Sequence, residues 1–348
     1  MGNSTVNTHN VMLMYLVEQF DRNNSRVKDF VEFGSDLYSG DPLYRPSAHL
    51  PADGAFFLLL KEGRICGRAA VTFNAHIAVE GRNTALLGWY ECTDDSDGSS
   101  RLLEAVERHC VERDAQFLVG PINGDTWHSY RFALPSDHPP FFLDLYHKPW
   151  YPSQFERGGW VPIEHYHSSQ ILPTAAEKSR VGRLTHHFEL KGISIRELSR
   201  ERFDEELIDI HKLSLEAFQK NPLYTPIPFQ EMATLYEPLR QIVDPAFVLI
   251  AESAEFGIVG FVFAVRNLYA PENSSLIIKT VAAKPIPVAR GIGTLLVEMI
   301  HERAKDRGYR HVIHALMHDA NLSTHVLGEQ SEVIRRYLLF GKELEGSA

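Results

Sequence analysis

Lys279-Thr280-Val281-Ala282-Ala283-Lys284-Pro285-Ile286-Pro287-Val288-Ala289-Arg290-Gly291-Ile292-Gly293-Thr294-Leu295-Leu296 is the stretch whose reading decides the fold. A β-run ends at a proline, and a loop with two glycines opens directly into a helix. In that helix Leu295, Leu296, Met299, Ile300 and Ala304 share one face, while Glu298, Glu302 and Lys305 turn outward. Gly308 is a natural stop for it. Such a unit is an anion seat. Glycines let the backbone approach phosphate oxygens, unpaired N–H groups at the helix start point at them, and the helix dipole adds to the attraction. Arg290 adds a formal charge. The plain alternative is a tight turn that binds nothing, and a lone G-x-G does not decide between the two. Leu296 stands where a dinucleotide fold needs its third glycine, so the unit is not of that kind.

The surroundings of this stretch occur twice. Asp41-Pro42-Leu43-Tyr44-Arg45-Pro46 returns as Asn221-Pro222-Leu223-Tyr224-Thr225-Pro226. A helical stretch precedes each copy, Val27 to Leu37 and Phe203 to Phe218. An apolar strand follows each, Phe56 to Leu60 and Phe247 to Ala251. Further on, Leu102 to Glu107 can be laid on Leu295 to Ile300, each opening an amphipathic helix before a strand, Phe117 to Gly120 and His311 to Leu316. Phe155-Glu156-Arg157-Gly158-Gly159 matches Tyr337-Leu338-Leu339-Phe340-Gly341 in its spacing of aromatic to glycine. Collinear matches of this kind indicate a duplicated α/β domain with a mixed sheet, divided at 1–178 and 179–348, the boundary lying in the polar stretch Pro173 to Arg183. An insertion rich in proline and aromatics, Trp127 to Trp150, belongs to the first copy alone.

Composition narrows the function. The 348 residues carry 35 basic and 45 acidic side chains, a formal charge of -10, which argues against nucleic acid or an anionic membrane as partner. No run of 18 apolar residues occurs and no basic-then-apolar leader opens the chain. Cys66, Cys92 and Cys110 form no CxxC pair, which suits a reducing cytoplasm and indicates neither disulfides nor a zinc site. No metal is expected elsewhere: His165 with His167, and His186 with His187, lack a carboxylate or Cys at ligand spacing.

In this setting the glycine loop resembles the central motif of the GNAT acyltransferase superfamily, a strand ending in A-V-x-P that leads to R/Q-x-x-G-x-G/A and a helix. Ala282-Ala283-Lys284-Pro285 and Val288-Ala289-Arg290-Gly291-Ile292-Gly293 fall on it in register, with Val288 in place of the usual Arg or Gln. Asn321 and Ser323 follow the next strand, as the family's CoA-contacting Asn and Ser do, and Tyr337 with Gly341 fits its Y-x-x-x-G motif. The resemblance covers roughly 190 to 345. It implies tandem GNAT-like domains, the second of which takes acetyl-CoA, or another short acyl-CoA, as co-substrate. Val281, Ala282 and Ala283 would face the thioester, and Val288 through Thr294 would hold the pyrophosphate. The acyl group would pass to a primary amine by direct attack in a ternary complex, with a small molecule or a peptide as acceptor and a monomer or homodimer as the working form. The alternative is a non-catalytic acyl-CoA-binding or partner-binding protein of the same fold.

The chemistry asks little of side chains. A backbone N–H on Val281 to Ala283 supplies an oxyanion donor. The leaving thiolate needs a proton, and the resemblance assigns that to Tyr337, whose phenol stays protonated at neutral pH. For the base, His314 and His318 alternate on one strand face, and His318 is the candidate beside a water chain to solvent. Tyr224 is a candidate acceptor-pocket residue, the alternative being a rigid turn with a buried aromatic. In the first copy the glycine loop is replaced by Asp95-Ser96-Asp97-Gly98-Ser99-Ser100, whose carboxylates repel a pyrophosphate, and Phe155 has no proton to give. The first copy is therefore expected not to bind CoA.

Overall fold

The computed structural model describes residues 14–46, 49–173, 178–320 and 331–345. The first half runs β1 (Tyr15–Phe20), α1 (Val27–Leu37), β2 (Ala55–Lys61), β3 (Arg64–Val79), β4 (Arg82–Cys92), α2 (Ser96–Val111) and β5 (Phe117–Gly120). It continues with the short β6 (Phe132–Ala133), α3 (Tyr151–Arg157) and β7 (Val161–Ile171). After α4 (Lys178–Glu189) the second half repeats the plan: β8 (Ile193–Glu197), α5 (Phe203–Ala217), α6 (Phe229–Tyr236), β9 (Val248–Ser253), β10 (Gly257–Arg266), β11 (Ser275–Ala283), α7 (Ile292–Asp306), β12 (His311–His318) and β13 (Glu332–Glu343). Each strand–helix–strands–helix–strand series matches the duplication read from the sequence.

All the strands but β6 form one path, ordered β1-β2-β3-β4-β5-β13-β7-β12-β11-β10-β9-β8. The order is a palindrome of two like halves, and its centre shows that the last strands have changed places. β7, from the first half, pairs with β12, while β13, from the second, pairs with β5. The two exchanged strands then pair with each other, antiparallel. One offset of 171 residues relates Val161 to Glu332, Gln170 to Gly341 and Tyr166 to Tyr337, and it carries the Gln170–Glu332 pair onto the Gly341–Val161 pair. Tyr166 and Tyr337 are therefore equivalent residues, facing one another at the pseudo-two-fold centre.

That finding corrects one step of the repeat alignment. Phe155 lies on the helix α3, whereas Tyr337 lies on the strand β13, so the two are not counterparts. The polar stretch Pro173 to Arg183, in which the boundary was placed, includes the start of a helix. From Lys178 it is the helix α4, and Val181 and Phe188 of that helix are buried against α7 in the core of the second half.

Apolar side chains fill both faces. Leu102 and Val106 of α2 pack on Phe57, Leu59 and Leu87 of the sheet, and Leu295 and Leu296 of α7 pack on Leu249, Val262 and Leu276. The insertion of the first half crosses to the second. Phe141 is 1% exposed inside the core beneath α5, and Trp127 Nε1 donates to Thr225 O at 2.7 Å. Among the described residues no helix is long and apolar enough to cross a membrane.

Candidate functional site

In the second half β11 and β12 run parallel only from Ser275–Ile278 against His311–His314. Beyond that they part. β12 bulges at Leu316, where φ is 59°, and Met317 and His318 keep the pairing with β7 on the other side. Lys279 is an extra residue in the ladder between β11 and β10, so β11 also bends here. Thr280 to Ala283 keep their partners on β10 and, among the described residues, have no strand on the other side, so alternate N–H groups of this stretch face the gap. The oxyanion donor expected on Val281 to Ala283 has its geometric basis in this opening.

The glycine loop closes one end of the gap. A single tight turn over Pro287–Ala289 leads to Gly291, whose φ of 89° suits glycine, and α7 starts at Ile292. The N–H groups of Gly291, Ile292, Gly293 and Thr294 have no acceptor among the described residues, and no side chain caps the helix. A Cβ on Gly293 would come within 3.3 Å of Val281 Cγ1, so the helix start lies against the gap strand itself. Arg290 is exposed at the rim. Four N–H groups, a dipole and a nearby cation thus converge on one place beside the open strand edge.

The first half keeps the same frame and fills it. β4 and β5 pair in parallel over Thr84–Leu86 and then separate. At the start of α2, Asp95 accepts from Gly98 N–H at 3.1 Å, from Lys61 Nζ at 2.7 Å and from Tyr15 OH at 2.7 Å. Burial pulls the other way, yet these bonds hold its carboxyl below the ordinary value. The seat that is open on α7 is occupied on α2 by the chain's own carboxylate. The parted strands here enclose a cavity of about 110 Å³ lined by Tyr44, Arg68, Glu91 and Arg131 among others.

The expected side-chain participants are scattered. Tyr337 is wholly buried; its hydroxyl donates to Asp144 Oδ1 at 2.7 Å and accepts from Ser168 Oγ at 2.9 Å. Burial, with the Asp144 charge beside it, pushes this phenol far above its ordinary value. Ser168 Oγ in turn accepts the N–H of Leu316 at 2.8 Å, so the chain of bonds ends on the bulge that opens the gap. His318 Nε2 lies 2.6 Å from Glu164 Oε2. His314 does not share its face, because the Leu316 bulge adds one residue and reverses the alternation. It meets His301 of α7 instead, Nε2 to Nε2 at 2.9 Å. Tyr224 OH donates to Leu215 O at 3.1 Å, and its ring packs near Trp127. Asn321 and Ser323 lie outside the described residues.

Sequence reasoning missed the polar cluster beside the gap. Asp144, from the insertion, lies 3.0 Å from Arg335 Nε, an ion-pair distance off the hydrogen-bond direction. Lys279, at the β11 bulge, donates to Leu143 O at 3.2 Å. Burial and then the nearby Arg131 lower its ammonium to about 7, against a pull from Asp144. Arg131 sits between the rings of Tyr130 and Tyr166, at 4.1 and 4.0 Å from their centroids. A lone lysine inside Leu276-Ile277-Ile278-Lys279-Thr280-Val281 was the available signal.

Comparison with known proteins fits this architecture. No family model matches the chain. Protein YghO of Escherichia coli K12 is 24% identical over 256 residues, 66% of this chain and 63% of that protein, so the match spans somewhat under two thirds of its relative. Solved structures share the fold over nearly the whole length. A tandem GNAT protein from the clavulanic acid biosynthesis pathway, at 13% identity and TM-score 0.51, covers 96% of this chain and is itself covered entirely. A probable N-acyltransferase from Enterococcus faecalis V583, at 11% identity, has a TM-score of 0.57, with 96% of this chain and 74% of that one covered. The GCN5-related glucosamine N-acetyltransferase region of a fungal β-N-acetylglucosaminidase follows at 14% and 0.53, where this chain covers 38% of the larger one and 95% of itself is matched. The chain has the GNAT fold, twice in tandem.

Proposed function

We propose that this protein is an acyl-CoA-dependent N-acyltransferase that works through its second half alone. Acetyl-CoA, or another short acyl-CoA, would lie in the gap between β11 and β12. The observation that carries the reading is the set of four unpaired N–H groups at Gly291 to Thr294, placed against the open edge of β11. Backbone there holds the pyrophosphate, Arg290 supplements it, and an N–H of Val281 to Ala283 receives the thioester oxygen. A primary amine, on a small molecule or a peptide, then attacks the carbonyl directly. Holding both reactants in line supplies much of the acceleration. The amine's proton leaves by His318 or by water, and Asn321 and Ser323 contribute further CoA contacts. Tyr224 belongs to the acceptor side. Tyr337 is the residue assigned to give the leaving thiolate its proton, which requires its hydroxyl, enclosed by Asp144 and Ser168, to reach the gap. Three free, buried cysteines suit a reducing cytoplasm, and the protein acts as a monomer or homodimer without nucleic acid or membrane.

The test is release of free CoA thiol from acetyl-CoA across a panel of primary amines. Turnover with at least one amine, lowered about tenfold or more by Tyr337→Phe at unchanged CoA affinity, is the expected result. The enclosure of Tyr337 favours one second reading, a CoA-binding protein without turnover. Tight CoA binding with no thiol release from any amine would establish that reading instead.

A further inference from the structure

Away from the gap, three segments distant in sequence bring nitrogen and oxygen ligands together. His49 comes from the loop between α1 and β2, His128 from the loop after β5, and Glu231 from the first turn of α6 in the other half. One ligand atom from each lies within 4.8 Å of the others. His128 Nε2 is 3.5 Å and His49 Nδ1 is 3.8 Å from the same oxygen, Glu231 Oε1. These separations are long for N–H···O hydrogen bonds, which cluster at about 2.9–3.0 Å. They approach the edge of a metal tetrahedron: bonds of about 2.0–2.1 Å set ligand atoms about 3.3–3.4 Å apart.

The His49 and His128 rings stack with centroids 4.0 Å apart, and an ion shared by both would turn the partly exposed His49 ring out of that stack. The His128 side chain is only 5% exposed, and its other nitrogen, Nδ1, lies 3.0 Å from Asp125 Oδ1. A carboxylate on the far nitrogen fixes the tautomer and aims Nε2 at the cluster, as the outer partners of metal-binding histidines do. The Glu231 and His49 side chains retain 31% and 35% exposure, so an ion has a way in.

We propose that His49, His128 and Glu231 bind one divalent zinc-class ion, with Asp125 orienting His128 and the fourth position open to water. Two nitrogens and one carboxylate oxygen suit zinc over magnesium or calcium, which take oxygen ligands. The ion ties the first half to α6 of the second, beside the contact of Trp127 with Thr225. This site is independent of acyl transfer and stands whether or not that reading holds.

The measurement is calorimetric titration of zinc chloride into the chelator-stripped full chain, with thermal melting in parallel. The expected result is about one saturable site per chain and a raised melting temperature. Glu231→Gln and His49→Gln, both partly exposed and safe for the fold, should each weaken that site at least about tenfold, and Asp125→Asn by about 10–100-fold. Absence of a saturable site in the parent chain overturns the proposal. So does an affinity that His49→Gln and Glu231→Gln leave unchanged, which would place the zinc on other histidines.

Discussion

At the scale of single residues, buried histidines make stability depend on pH, and His301 and His314 form a pair among them. Burial lowers His301 to about 4, and burial with its neighbour's charge lowers His314 to about 3. In the unfolded chain both titrate near 6.5. Between those values the unfolded state binds more protons, so the stability that rests on two neutral rings is complete above about 6.5 and is lost as pH falls toward 4 and 3. The slope is at most about 1.4 kcal/mol per pH unit for each group. Urea unfolding at pH 7.5, 6 and 5 should show this fall, and a His301→Leu, His314→Leu double variant should lessen it, leaving the share of His147. An equal fall in both proteins would remove the pair as its cause. His314 also shows where residue patterns fail, since alternation along His314-Ala315-Leu316-Met317-His318 held only until the bulge.

At the scale of elements, most of the plan was legible. The apolar periodicity of Val27 to Leu37 and the short run Phe117 to Gly120 give α1 and β5 as the structure has them. The glycine loop was read from backbone rules together with its resemblance to a family motif, and in the structure Gly291 has a positive φ and the helix start has no side-chain cap. β13 was not legible as a strand. Its apolar residues Val333, Ile334, Tyr337, Leu338, Leu339 and Phe340 are spaced as on a helix, because register shifts between Val333 and Arg335 and between Leu339 and Phe340 break the alternation of the strand. Asp144 and Lys279 were hidden for another reason: tertiary packing of the insertion makes them neighbours, and no local pattern marks that. The two helix starts invite a direct test. Asp95→Ala removes the cap of α2 and its bonds to Lys61 and Tyr15, and should cost about 1–2 kcal/mol in chemical denaturation. It should leave acetyl-CoA affinity untouched. A second CoA site appearing in that variant would mean that Asp95 alone closes the first seat.

For the whole molecule, the exchange of β7 and β13 makes the two copies one sheet. Neither copy's final strand pairs with its own penultimate strand, so separating the halves would bare edges on β5, β7, β12 and β13 together. Sequence could not disclose this, because the exchanged strands come from equivalent places in the repeat and suit either partner. The duplication, by contrast, was visible, and the unequal fate of its copies is the core of the functional account: one helix start open, the other filled by Asp95. Titration of acetyl-CoA into the full chain tests this most directly, in the parent and in Gly291→Asp, which brings a carboxylate to the open seat. The account predicts one equivalent bound by the parent and an affinity at least about tenfold weaker in Gly291→Asp at an unchanged fold by circular dichroism. Two equivalents, or one that Gly291→Asp does not weaken, would contradict it.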